Sequence, residues 1–175
     1  TGGLILATAA CLTGRDRQRM RQLPNTRGFK AELIMQKQHR ISFDHAVRIA
    51  GAQIVEVGSE HGTTLADVEA ALSEQTAAVL HMALDPQPTA DLSAVAALAH
   101  AHGAPVIVDA AAELPPVSNL RAFLEEGADL VIFSGGKAIC GPNDSGILCG
   151  RGDLIEAATA QAFPNPGIGR ALKVS

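Results

Sequence analysis

The chain has 175 residues, 47% of them hydrophobic and 18% charged, with a net charge of −4. That length suits one core of ordinary domain size, and the acidic balance argues against a surface that coats nucleic acid. Five Phe with no Trp or Tyr leave no stacking platform for single-stranded nucleic acid, and no uncharged apolar run approaches the roughly 18 residues of a membrane span.

Thr1-Gly2-Gly3 precede a short, Ala-rich apolar helix predicted over 3–12 and stopped by Gly14. Residues 15–30 hold Arg15, Arg17, Arg19, Arg21, Arg27 and Lys30 and read as a charged, irregular, solvated loop. A strand follows at Glu32–Met35. A helix is expected over 43–50, with Ser42 as its cap and Gly51 as its stop, and then a strand over Gln53–Val57. Thr64 opens a helix through Leu72, with Asp67 three places on as a capping-box partner. A strand spans Ala77–Met82. Asp91 caps the helix in "DLSAVAALAHAHG", which Gly103 ends. A strand over Pro105–Val108, a helix over 119–126, a strand over Asp129–Phe133, a strand over Gly146–Cys149 and a helix over Asp153–Gln161 complete the series. No helical pattern separates the last two strands, so the second is expected to return antiparallel.

Strands alternating with helices, and strands such as "VIVDA" and "LVIF" that are apolar on both faces, predict an α/β fold: a doubly wound, mostly parallel sheet with helices on both sides. Cys11, Cys140 and Cys149 form no CxxC pair and are odd in number, which is cytoplasmic usage rather than a disulfide scaffold. The six histidines show no HExxH or zinc spacing, so no metal is expected. The chain begins without Met and ends in mid-pattern, which reads as an internal piece of a longer protein.

In such a sheet, ligands bind beyond the carboxyl ends of the strands. That rule selects Asp109 after "VIV", Ser134 and Lys137 after "LVIF", and His81 at the end of "AAVLH". A P-loop is excluded because position 131, six before Lys137, is Val, and "GIGRAL" lacks the third glycine of a dinucleotide fingerprint. An acid after one strand and a lysine after the next suit pyridoxal 5′-phosphate. The lysine forms a Schiff base with its aldehyde, and the acid keeps its ring nitrogen protonated so that the ring accepts electrons. The apolar neighbours of Lys137 predict a desolvated amine with a lowered pKa. The Thr1-Gly2-Gly3 turn before a helix offers free amides for the phosphate, and Ser134 adds a hydroxyl.

These residues resemble a known family. "LAHAHGAPVIVDAA" followed by "ADLVIFSGGKAICGP" is similar to the large domain of fold-type-I pyridoxal-phosphate enzymes, the aspartate-aminotransferase superfamily. More narrowly, the Ser-Gly-x-Lys segment and "GRALKV" resemble the selenocysteine-synthase-like branch, while "QHRISFDHAVRIAGAQIVEVG" looks closer to relatives acting on small molecules. The resemblance implies that Lys137 bonds the cofactor, Asp109 partners the ring nitrogen, and Ser134 with Thr1, Gly2 and Gly3 holds the phosphate. It puts His39 near the cofactor ring, with a surface loop histidine as the alternative, and Arg170 at an anionic substrate or phosphate across a dimer interface. It implies residues 1–165 as the cofactor domain and 166–175 as the start of a linker to a small C-terminal domain. A lyase or transferase of the α,β-elimination type is expected, acting on a small amino acid or amino-sugar acid in a homodimer or larger even oligomer. The alternatives are selenium transfer on seryl-tRNA and a cofactor-free protein on the same scaffold. Gly136, where the selenium transferases carry an acid, weighs against tRNA. The apolar first helix is read as a surface that a partner subunit covers.

Overall fold

A strand buried on both faces needs helices on both sides, and the chain supplies them. The computed structural model describes residues 1–83 and 88–172. Six strands form one sheet: β1 (Glu32–Gln36), β2 (Gln53–Val57), β3 (Thr76–Met82), β4 (Val106–Asp109), β5 (Leu130–Ser134) and β6 (Gly146–Gly150). Their order is β2-β1-β3-β4-β5-β6, with β6 antiparallel to β5 and the other pairs parallel. The expected α/β fold, including the antiparallel return, is what forms.

Alternate strand residues split the core into two layers. Leu33, Met35, Leu80, Ile107 and Ile132 pack with α1 (Gly2–Thr13), α3 (His45–Ile49) and α7 (Gly152–Gln161) through Leu4, Ile5, Val47 and Leu154. Ile34, Val79, Val108 and Phe133 pack on the other face with α4 (Leu65–Ala71), α5 (Leu92–Ala101) and α6 (Asn119–Glu125) through Val68, Val95 and Phe123. Thr64 and Asp67 complete the expected capping box on α4, and Asp91 caps α5 through the Ser93 and Ala94 amides.

Three local expectations are corrected. The basic stretch is not wholly irregular: Arg17–Gln22 forms a helix, α2, because the Asp16 carboxylate accepts the Gln18 and Arg19 amides. Ser42 does not cap α3, which starts two residues later than expected. Its position is fixed instead by Arg40, whose guanidinium bridges Asp44 at 2.5 Å and Glu56 at 2.6 Å. The apolar helix α1 is also no bare surface. Leu4, Ile5, Ala7, Ala9, Ala10 and Leu12 are buried against α7, α3 and the sheet of the same chain, so its composition reflects a central position rather than a partner subunit.

Gly150 ends β6 with φ 142°, and a Cβ there would lie 2.0 Å from the Asp129 carbonyl oxygen. Both the conformation and the space call for glycine. Gly150→Ala is expected to lower unfolding free energy by at least about 2 kcal/mol, and urea denaturation at neutral pH checks this.

Candidate active site

Gly3 brings the start of α1 onto the sheet. A Cβ at Gly3 would come within 2.7 Å of Ile132 Cγ2, so only glycine lets the first turn lie against the end of β5. The turn is held by the Ile5 amide donating to the Thr1 carbonyl at 3.1 Å, and the amides of the first turn have no partner within the helix. A Cβ at Gly2 would meet nothing within 4 Å, so the approach to these amides is open.

Thr1, Gly2 and Gly3 line a cleft of about 500 Å³ together with Asp109 and Ser134. Four sequence-predicted phosphate residues and the predicted ring partner are thus brought to one place. Asp109, the last residue of β4, is 7% exposed. Its Oδ1 accepts the Ala111 amide at 3.0 Å. Burial pushes its carboxyl above the ordinary range, opposed by the Ala111 bond and the charge of Lys137. The Ser134 hydroxyl, half-buried, makes no hydrogen bond among the described residues.

Lys137 lies on the hairpin loop between β5 and β6. Gly135 donates to the Ser145 carbonyl at 3.0 Å, Gly141 to the Gly135 carbonyl at 2.8 Å, and Cys140 to the Lys137 carbonyl at 2.8 Å. Cys140 takes φ 58°, a left-handed conformation uncommon outside glycine. Lys137, Ala138, Ile139 and Cys140 are all exposed, which corrects the expected desolvated lysine. The loop carries its apolar residues past the sheet edge, so they do not enclose the amine. Its charge still bears on Asp109.

His39 is 2% exposed, which overturns the surface alternative. It sits in a 3₁₀ turn, Lys37–His39, directly after β1, and its Nδ1 accepts the Met82 amide at 3.4 Å. His81 packs edge-on to it, ring centroids 4.4 Å apart. Among the described residues, the His81 Nδ1 is buried without a hydrogen-bond partner. Desolvation, with His81 adding repulsion, lowers the pKa of His39 to about 3, and desolvation lowers that of His81 to about 4. Neither ring lines the cleft. His81 comes one residue before Met82, which pairs with Asp109 across β3 and β4, so the two strands end at the same sheet edge.

Arg170 is exposed, donating to the Pro164 carbonyl and lying over the Phe163 ring at 5.2 Å. Two residues on, Leu172 lines the cleft, so this segment returns to the chain's own strand ends instead of leaving them. Residues 173–175 of the expected linker lie outside the described residues.

Sequence reasoning missed Asn143, Asp144, Ser145 and Gly146, which form the far wall of the cleft. The polar turn cluster "NDSG" was the available signal, but only the hairpin's return places it there. Burial pushes the Cys11 thiol up to about 12 and the Cys149 thiol upward as well, so neither offers a thiolate nucleophile.

Residues 39–174 match a sequence profile described as L-seryl-tRNA selenium transferase. The 5′-C-glycyluridine monooxygenase-decarboxylase of Streptomyces sp is 38% identical over 98% of this chain and 43% of its own length. The D-glucosaminate-6-phosphate ammonia lyase of Salmonella typhimurium is 36% identical over 99% of this chain and 47% of its own length. A solved structure of D-glucosaminate-6-phosphate ammonia-lyase superposes with a TM-score of 0.90 at 36% identity, covering 99% of this chain and 47% of that one. Thermus thermophilus aspartate aminotransferase shares the fold, with a TM-score of 0.64 at 21% identity over 98% of this chain and 45% of its own. The chain spans less than half the length of these relatives.

Proposed function

We infer from membership in the L-seryl-tRNA selenium transferase family, to which this chain belongs, that it forms the cofactor-binding part of a pyridoxal-phosphate-dependent lyase or transferase. The proposed reaction is an α,β-elimination on a small amino acid or amino-sugar acid. The observation that carries this reading is the cleft that joins the buried Asp109 carboxyl to the open first turn of α1 and the free Ser134 hydroxyl.

The residues present fit the cofactor. An acid at the floor matches a ring nitrogen, and helix amides with a hydroxyl match a phosphate. When bound, the cofactor supplies an electron sink for charge developing at the substrate Cα. Asp109 would hold a proton at the ring nitrogen; a carboxyl already pushed up by burial gains from meeting a cation there. The Thr1–Gly3 turn and Ser134 would bind the phosphate and fix the ring's direction. Lys137 would bond the aldehyde carbon and, once a substrate amine displaces it, move a proton at Cα. His39 stands behind the strand ends and would back the ring rather than titrate.

The exposed apolar side chains Ile147, which lines the cleft, and Ile139, two residues on from Lys137 in the hairpin loop, support a further proposal, that the site is finished in a homodimer or larger even oligomer. The same reading places Arg170 toward a neighbouring site. Three free thiols fit a cytoplasmic enzyme, and among the described residues no helix is long and apolar enough to cross a membrane.

Seryl-tRNA is the weaker substrate. A Cβ at Gly136 would lie 2.7 Å from Asn143 Cα, so this loop has no room for the acid that the selenium transferases are expected to carry there. Cα decarboxylation is a second reading, favoured by the 38% identity to the Streptomyces relative. Release of ammonia against release of carbon dioxide separates the two.

The intact protein is expected to absorb in the visible as isolated, and borohydride is expected to bleach it and leave the cofactor on Lys137 by peptide mass mapping. Reduced cofactor on Lys30, Lys37 or Lys173 instead would overturn the assignment.

A further inference from the structure

At the opposite end of α1 from the cleft, a cavity of about 410 Å³ opens between α2 and α7. Arg15, Arg17 and Arg21 line it, with Glu156 as the one carboxylate among its lining residues. Arg15 pairs with Glu156. Arg17 and Arg21 stand one turn apart on the same face of α2, where like charges repel. Neither forms an ion pair or side-chain hydrogen bond among the described residues. The other arginine of this helix does have partners: Arg19 reaches Asp16 at 3.6 Å and lies over the Phe29 ring at 5.3 Å. The cations facing the cavity are therefore left without the local compensation found a few residues away, on a chain whose net charge is −4.

We propose that this cavity binds a small ligand carrying a phosphate or diphosphate group, at a site separate from the cofactor cleft. Guanidinium groups match phosphate oxygens in paired hydrogen bonds, and the volume suits a phosphorylated metabolite. A nucleic-acid strand fits less well. Among the described residues no aromatic side chain lines the cavity for a base to stack on, and a carboxylate, Glu156, is part of its wall. The wall also carries a consequence. Asn165 and Gly167 belong to the segment that continues to Leu172 in the cleft, so the two sites share one stretch of chain.

The test is calorimetric titration of the intact protein with inorganic pyrophosphate in low salt. Saturable binding is expected, weakening as salt rises. In Arg17→Gln/Arg21→Gln the affinity is expected to fall at least about tenfold, as when charge-assisted hydrogen bonds are removed. These side chains are exposed, so the fold should persist, and circular dichroism confirms it. Lys30→Gln removes a nearby charge outside the cavity and should leave the affinity unchanged. No binding, an equal loss in Lys30→Gln, or undiminished binding in the arginine variant overturns the proposal.

Discussion

Asp109→Asn in the intact protein is expected to lose about 10²–10³-fold in turnover, the scale of removing one preorganised electrostatic group, while the fold becomes no less stable. Asparagine keeps an oxygen for the Ala111 amide, so the local turn survives. What it cannot do is hold a proton at a ring nitrogen, and the electron sink then weakens. The stability half of the expectation follows from the raised carboxyl pKa. A group held above its unfolded value costs nothing below the ordinary carboxylate range. The cost appears as pH rises through the folded value and is fully present at neutral pH. Removing the charge relieves that cost. The melting temperature of the cofactor-free variant should therefore match or exceed the parent's at pH 7, and the gap should close in acid. Near-parental turnover would remove Asp109 from its role, and a lower melting temperature at pH 7 would refute the account of its burial.

Mild acid should destabilise the protein through its buried histidine pair. His39 and His81 have pKa values of about 3 and about 4 in the fold, against 6.5 for the free side chain. The unfolded chain thus binds two protons that the folded chain refuses. Stability from this pair is complete above about pH 6.5 and is lost as pH falls towards 4. Each unit of separation is worth about 1.4 kcal/mol, so a fall from pH 7 to 5 should remove about 3–4 kcal/mol. That is a large share of the roughly 5–15 kcal/mol that holds a domain together. Asp109, raised by burial, acts in the opposite sense as its carboxyl protonates. Urea midpoints at pH 7, 6 and 5 should decline steadily, and in His81→Gln about half of the decline should disappear. A flat profile in the parent would contradict the burial of both rings.

The parts of the fold that were readable in the sequence are those with local causes. Thr64 with Asp67, and Asp91 with Ser93, announce helix starts within four residues, and "VIVD" and "LVIF" announce strands with no wet face. The helix α2 was hidden because its cap, Asp16, sits among arginines with no apolar period around it. Ser42 misled because a better-placed partner, Arg40, engages Asp44 from the other side. In the site, Asp109 and Ser134 followed from the rule about strand ends and the Thr1–Gly3 turn from the free amides of a helix start, and one cleft holds them. Asn143 to Gly146 did not, since their place depends on how a hairpin returns. The exposure of Lys137 depends on the same path, and no count of apolar neighbours reveals it.

The hairpin has an implication for how such proteins diversify. Ser134 and Gly146 face each other across β5 and β6, so the two ends of the loop bearing Lys137 are cross-strand neighbours. A loop anchored in this way behaves as a cassette: its tip can change in length and chemistry while its attachment points stay fixed. The stalks tolerate no such freedom. One residue inserted into β6 would turn Leu148, packed on the core, toward water and draw the exposed Ile147 inward. Grafting residues 136–144 from a relative should therefore alter what the cleft accepts without unsettling the sheet, whereas a single insertion two residues further along should unfold that edge.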